Sequence, residues 1–519
     1  MTLAERRNWM FEAAAVVFEP SPAGAGGRSA MMLFGIGLAA VVALRLFLLL
    51  STDFPLNDGG LFLEFIRSTA EVFPNIPRTV TYNGFPLPFA YPPLGFWAGA
   101  LLTKLGFDAL GVVRVLPILM NTAYALLFAL LLLRSGQSRL VAALALIFFL
   151  VSARSYEWLA MGGGISRGFG SIFLLLALLA VGIPGSKRRA PLPTLRLLLC
   201  GAAVGAAILS HMEWGLLATA SVVTSLVLGC RTIRDFIRSC LITGATAFVI
   251  IAPWVATVLA AHGLEPFLAA GQTSQSGIFH SLEQLLWLIQ TNIFNIFLAL
   301  GGAALLWRRQ FFWVAFFLLC VFVTPRHGPT PVVLPLCVFV GEGVIAAFRL
   351  LRLLTRSERE AVAGAGILFA IVLIAQVAQE REERLQVVRP LSAEQRGAMA
   401  WVRQNHPGAR FAMLSPLAWH ADRSAEWFPV LAGATSTTTV QGREWLPAGA
   451  FGEREEMVLS LKASKTCAAL LANLKAFEPP QFIWAEWMAK CFEGPAYAPV
   501  FRNSEVTIFR SNFAARKGA

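Results

Sequence analysis

Long apolar runs broken by short polar clusters set the pattern of the first two thirds of the chain. Runs at 30–51, 112–133, 140–153, 165–183, 195–210, 216–230, 240–260, 285–306, 311–323, 332–348 and 361–378 predict eleven transmembrane helices. Helices are the expected form because a segment in hydrocarbon must satisfy its own backbone hydrogen bonds. A further apolar stretch, Tyr91 to Gly106, would rise only ~24 Å as a helix, which is short for a full crossing. Between it and the first run, Leu61, Phe62, Phe65 and Ile66 oppose Glu64, Arg67 and Glu71, the pattern of a short helix lying on a bilayer surface. From Glu380 the pattern changes. A capped helix over Ser392–Gln404, a strand over Arg410–Leu414, a helix over Glu453–Lys462, and strands over Gln481–Trp484, Tyr497–Phe501 and Val506–Arg510 predict a small α/β domain. The expected division is a membrane module, 1–379, and a C-terminal domain, 380–519.

The basic clusters orient this arrangement. Arg134/Arg139, Lys187-Arg188-Arg189, Arg231/Arg234/Arg238, Arg308-Arg309 and Arg349/Arg352/Arg356/Arg359 all fall on the side of the N-terminus only if 91–106 does not cross. The preference of short cytoplasmic loops for Lys and Arg therefore predicts a non-crossing, re-entrant or surface segment there, a cytoplasmic N-terminus and an extracytoplasmic C-terminal domain. Asp58, Arg154 to Trp158, His211 to Glu213, loop 261–283 and Thr324 to Pro331 then gather on the outer face.

Composition narrows the class. With 56% hydrophobic and 14% charged residues, the 519-residue chain lies outside the soluble range and belongs in a cell membrane, inner or plasma, in contact with its lipids. The net charge of +13 sits in clusters between apolar runs, where topology signals lie, so nucleic acid is not an expected partner. The first 29 residues mix acids and bases without a cleavable signal, and the first span is expected to be a retained anchor. Five cysteines fall in or beside spans as small packing residues, whereas Cys467 and Cys491, in the polar tail, are able to pair in an oxidising compartment.

Candidate chemistry concentrates just beyond the first span. Asp58, in Asn57-Asp58-Gly59-Gly60, places a carboxylate at a membrane boundary, where partial burial tunes its basicity. Asn-Asp-Gly-Gly is equally a strong turn sequence, with a solvated acid as the plain alternative. The chain returns to the membrane through Tyr91-Pro92-Pro93-Leu94-Gly95. This pairing of motifs resembles the polytopic glycosyltransferases of the C-type fold, including protein O-mannosyltransferases, the lipid A aminoarabinose transferase and the catalytic subunit of oligosaccharyltransferase.

The resemblance implies transfer of a sugar, with inversion, from a polyprenyl-phosphate donor to an extracytoplasmic acceptor that is a protein, lipid or glycan, with Asp58 as general base. Many relatives carry Asp-Glu where this chain has Asp58-Gly59, so a second acid has to come from elsewhere. Glu157 is the candidate, with an ion pair to Arg154 or Arg167 as its competing role. A divalent metal, Mg or Mn, held by Asp58 and Glu157 stays open, and no cofactor is assured. Arg326 and His327, a guanidinium and an imidazole in the loop between the ninth and tenth spans, suit the donor phosphate. His211, Glu213, Tyr91 and Asp422 are candidates for lining the cavity or meeting the acceptor, against interhelical hydrogen bonding for His211 and Glu213 and domain core for Trp427 and Phe428 near Asp422. Gly162-Gly163-Gly164 begins a helix and is able to offer amides to a phosphate. A transporter or flippase, or a catalytically silent member of the same fold, is the alternative.

Overall fold

The structure is a computed structural model. It describes residues 12, 14–19, 27–185, 190–272, 281–283, 285–286, 290, 293–324, 330–355, 357–383, 387–446 and 449–512.

Each predicted apolar run contains a helix, that of 285–306 being described from Asn295. Among the described residues, seven helices are long and apolar enough to cross a membrane: α1 (Gly27–Leu50), α4 (Ala109–Arg134), α7 (Gly164–Val181), α9 (Met212–Gly229), α10 (Ile233–His262), α14 (Val333–Leu354) and α15 (Glu358–Glu383). Shorter apolar helices are α8 (Thr194–Ser210), α12 (Asn295–Trp307) and α13 (Phe311–Val323), and the short α11 (Glu265–Gln272) follows α10. The run predicted at 140–153 is not a straight span. Helix α5 (Arg139–Val151) ends at an extended Ser152, and the chain bends by 93° into the short turn that contains α6 (Glu157–Ala160).

That bend frees backbone groups that a continuous helix would consume. Asn121 of α4 donates to the Ser155 carbonyl at 2.8 Å, and Arg45, fully buried within α1, donates to the Ser155 hydroxyl at 2.7 Å and to Asn121 Oδ1 at 3.1 Å. A charge at this depth is tolerable only with such partners, so α1, α4 and the bend are locked together by polar contacts inside an apolar bundle.

The loop after α1 forms α2 (Gly60–Val72), a hairpin of β1 (Thr79–Tyr82) and β2 (Phe85–Pro88), and α3 (Leu94–Lys104). Amphipathicity directed the apolar face of α2 toward a bilayer surface; in the structure it packs on protein. Phe65 and Ile66 are buried, with Phe65 stacked on Phe96 of α3 at 4.9 Å, and α2 also packs on a helix of the C-terminal domain. Helix α3, from the stretch expected not to cross, lies in this second core rather than in the core of the bundle.

The C-terminal region begins with α16 (Ala393–Asn405), capped as its Ser392 and Gln395 predict by reciprocal side-chain to backbone bonds. Its sheet has the order β4-β3-β5-β7-β6, comprising β3 (Arg410–Leu414), β4 (Thr435–Ser436), β5 (Phe482–Ala485), β6 (Tyr497–Arg502) and β7 (Thr507–Ser511). Strand β3 runs parallel to both β4 and β5, and β7 is antiparallel to β5 and β6. Helices α17 (Arg423–Ala432), α18 (Ala450–Lys462) and α19 (Cys467–Leu474) complete the domain, and Cys467 is disulfide-bonded to Cys491. Helix α17 was not anticipated: Pro429 and a mixed polar and aromatic composition hide its periodicity, yet its Trp427 and Phe428 are completely buried.

One hydrophobic core contains Phe54, Phe65 and Phe96 from the loop, Val113 and Ile165 from α4 and α7, and Phe411, Trp427, Phe428 and Trp484 from the C-terminal domain. The hairpin tip pins the same junction. Asn83 exchanges two hydrogen bonds with the backbone of Ser436 in β4, at 2.8 and 2.6 Å. Loop and domain are therefore folded as one body, and the site lies in their seam.

Candidate active site at the seam of loop and domain

Asp58 sits where three segments meet. The backbone ahead of it is held on one side by Asn57 N donating to the Arg389 carbonyl at 2.9 Å, and on the other by Gly162 N donating to the Leu56 carbonyl at 2.9 Å. Trp427 Nε1 donates to the Asn57 carbonyl at 2.8 Å. Directly after Asp58, Gly59 has φ of 135°, a conformation that side chains rarely adopt, and a Cβ there would also meet Val113 at 2.8 Å. The loop is thus fixed in a shape that its sequence permits but does not specify.

The carboxylate has two partners from the glycine-rich segment. Gly163 N donates to Asp58 Oδ1 at 2.7 Å, and the Arg167 guanidinium lies 3.6 Å from Oδ2. An amide of the glycine segment expected to meet a phosphate is thus bonded to a side chain of this protein. Arg167 is itself oriented by donating from Nε to the Trp158 carbonyl at 2.9 Å. Asp58 keeps 20% of its side chain exposed, enough for a small polar group to reach it.

A second acid stands beside it. Glu426, in the first turn of α17, is 2% exposed; its Oε2 accepts from Gly59 N at 2.8 Å and its Oε1 from Leu61 N at 3.1 Å. It therefore caps α2, where a carboxylate is favoured by the free amides and by the helix dipole. Burial pushes the Glu426 carboxyl up to about 8, the charge of Asp58 pushes it the same way, and the amides of Leu61, Gly59 and Gly60 pull it down. Burial also raises the Asp58 carboxyl above its ordinary value of 3.8, against the pull of Arg167 and Gly163. Glu426 is an acid beside Asp58 that the sequence pattern did not single out. Its sequence signal was slight: one carboxylate in Ser-Ala-Glu-Trp-Phe, with large aromatic neighbours.

The other candidates are placed as follows. Glu157 is 4% exposed at the head of α6, in the turn that leads to Gly162 and Gly163, while Arg167 is turned to Asp58. Tyr91 and His211 come together, with ring centroids 6.3 Å apart, and Trp445 of the C-terminal domain lies 5.3 Å from Tyr91. His211 occupies the extended residue between α8 and α9, and Glu213 is half-buried in the first turn of α9. Asp422 is committed to the domain's own fold: it caps α17 through Ala425 N at 3.1 Å and pairs with Lys462 Nζ at 2.8 Å. Arg326 and His327 lie outside the described residues.

At the seam Asp58 faces a guanidinium and both oxygens of Glu426 accept from amides; among the described residues no three His, Cys, Asp or Glu groups converge. What the arrangement offers is a basic, partly exposed carboxylate fixed by amides beside a cation.

No family model matches the chain, and no curated protein matches it by sequence. Solved structures do. The archaeal oligosaccharyltransferase AglB from Archaeoglobus fulgidus, in complex with an inhibitory peptide and a dolichol-phosphate, superposes with a TM-score of 0.55 at 12% identity, over 88% of this chain and 69% of that one. ArnT from Cupriavidus metallidurans bound to undecaprenyl phosphate gives 0.54 at 14% identity, over 93% and 98%. The mycobacterial arabinofuranosyltransferase AftD gives 0.50 at 16% identity, over 91% of this chain and 41% of that one. The fold is that of the C-type membrane glycosyltransferases, and the chain is a membrane protein.

Proposed function

We propose that this chain is a membrane glycosyltransferase moving a sugar from a polyprenyl-phosphate donor to an extracytoplasmic acceptor, with Asp58 as the general base. The observation that carries this reading is the environment of Asp58: a partly exposed carboxyl, made more basic by burial, fixed by Gly163 and Arg167 in a fold shared with lipid-linked sugar transferases. A base is most useful when its affinity for a proton has been raised toward the working pH, and here burial does that.

In the proposed step the acceptor's O–H or N–H approaches Asp58, which takes the proton as the acceptor atom bonds to the anomeric carbon. The bond from that carbon to the phosphate oxygen breaks, and its electron pair leaves on polyprenyl phosphate. Attack opposite the leaving group inverts the anomeric centre. Arg326 and His327 are proposed to neutralise the departing phosphate, and Tyr91 and His211, adjacent beside Trp445, to line the cavity. The proposed orientation keeps the seam and the C-terminal domain outside the cell membrane, and the fold favours transfer over transport. The deciding experiment supplies membranes containing the wild-type or D58N protein with labelled donor and acceptor. Transfer lost in D58N with protein level unchanged supports the reading, and wild-type transfer in D58N removes it.

A further inference from the structure

We infer that Glu426 is a positioning residue for transfer, so that docking of the C-terminal domain onto the first loop is a condition for an active Asp58. The inference rests on the reading of Asp58 as the base. Three observations support it. Both oxygens of Glu426 are bonded to amides of the segment that directly follows Asp58, Gly59 at 2.8 Å and Leu61 at 3.1 Å, so its carboxylate spans the exit of the catalytic turn. The backbone of Glu426 is itself held, because Tyr82 of the hairpin donates to its carbonyl at 2.7 Å. Space around the clamp is exhausted: a Cβ on Gly60 would lie 2.8 Å from the Glu426 carbonyl oxygen.

The titratable and charged groups facing this clamp come from several elements. Asp58 lies on the loop, Arg167 on α7 and Tyr82 on β1, and the charges of Glu444 and Glu64 also act at Tyr82. Glu426 sits among them with both carboxyl oxygens bonded to backbone amides. Its role is to act through the loop: ionised or neutral, it sets where Asp58 points and how strongly Asp58 holds a proton. The neighbouring ion pair between Arg396 and Asp53, at 2.6 Å, also joins domain to loop, but at the surface, where such pairs contribute little.

The test compares E426Q, D58N and D53A by pH profile and by the separation of kcat from donor KM. For E426Q the expected result is a kcat lowered by roughly tenfold or more with donor KM nearly unchanged, and a profile that lacks one ionisation near the upper end of the wild-type range. D53A is expected to keep the wild-type profile. An E426Q profile and kcat that overlay the wild type, with D58N inactive, overturn the inference and leave the Asp58 reading intact; an active D58N overturns the reading beneath it. Should E426Q fail to accumulate, Gly60→Ala retains both carboxylates while forcing the Glu426 carbonyl away from the loop. Lost transfer in Gly60→Ala with normal protein level supports the clamp, and wild-type transfer overturns it.

Discussion

Gly163 donates its amide to Asp58 over 2.7 Å, and the fit is close enough that a Cβ on Gly163 would stand 2.6 Å from Asp58 Oδ2. The amide that steadies the carboxylate thus belongs to a residue that has to remain glycine, and this relationship yields the most local of the predictions. Gly163→Ala should leave the spans and the C-terminal domain folded while displacing the carboxylate, lowering transfer by about a hundredfold, the scale on which a misplacement near 1 Å acts. Gly162→Ala should be more damaging, because its Cβ would meet the Asp58 backbone carbonyl rather than a side chain. Initial rates at matched protein level separate the two.

Arg167 makes a prediction about pH. Burial raises the Asp58 carboxyl while Arg167 pulls it down, and a base works only when deprotonated, so activity should fall as pH drops through the Asp58 pKa. Arg167→Gln removes the downward pull. The acid limb of kcat/KM should therefore move to higher pH, and a limb that stays put or moves lower would show that Arg167 does not act on Asp58.

Glu426 links pH to stability. Its folded value of about 8 lies above the ordinary 4.5, so whatever it contributes to stability is present in full below the ordinary value and is lost as pH rises toward 8. Thermal unfolding of the wild type should become easier across that interval, and E426Q, which does not titrate, should lack this dependence.

Trp427 fills the seam edge-on to Phe54 at 4.8 Å and donates to the Asn57 carbonyl. Trp427→Ala should destabilise the junction by about 3–5 kcal/mol through lost burial. Trp427→Phe, which keeps most of the apolar contact but leaves that carbonyl without the indole donor, should cost about 1–3 kcal/mol. Protease protection of the C-terminal domain measures both.

The disulfide between Cys467 and Cys491 closes a separation of 24 residues, and its reduction should cost the domain about 3–4 kcal/mol. Such bonds persist on an oxidising face. On the proposed orientation, an impermeant maleimide added to intact cells should label these two cysteines only after reduction. Labelling only in disrupted cells would place the domain on the other face and withdraw the proposed orientation.

Much of the architecture is legible in the residues themselves. Apolar runs mark the spans because hydrocarbon forces any crossing segment to satisfy its backbone internally, a requirement that composition alone records. Asp58 and the glycines around it are visible because turn and helix-start chemistry is local, and Ser392 with Gln395 announces a capped helix within four positions. The tertiary structure alone decided what surrounds Asp58. Glu426 reaches Gly59 across 367 residues of chain, and nothing in the local pattern of either segment records a contact made by folding one domain onto another. The same reason turned Arg167 toward Asp58 rather than Glu157, turned the apolar face of α2 toward protein, and bent the chain after α5 around the buried Arg45. Periodicity reports which face of an element is apolar; which neighbour covers that face, and which charge lies behind it, is fixed only when the whole chain has packed.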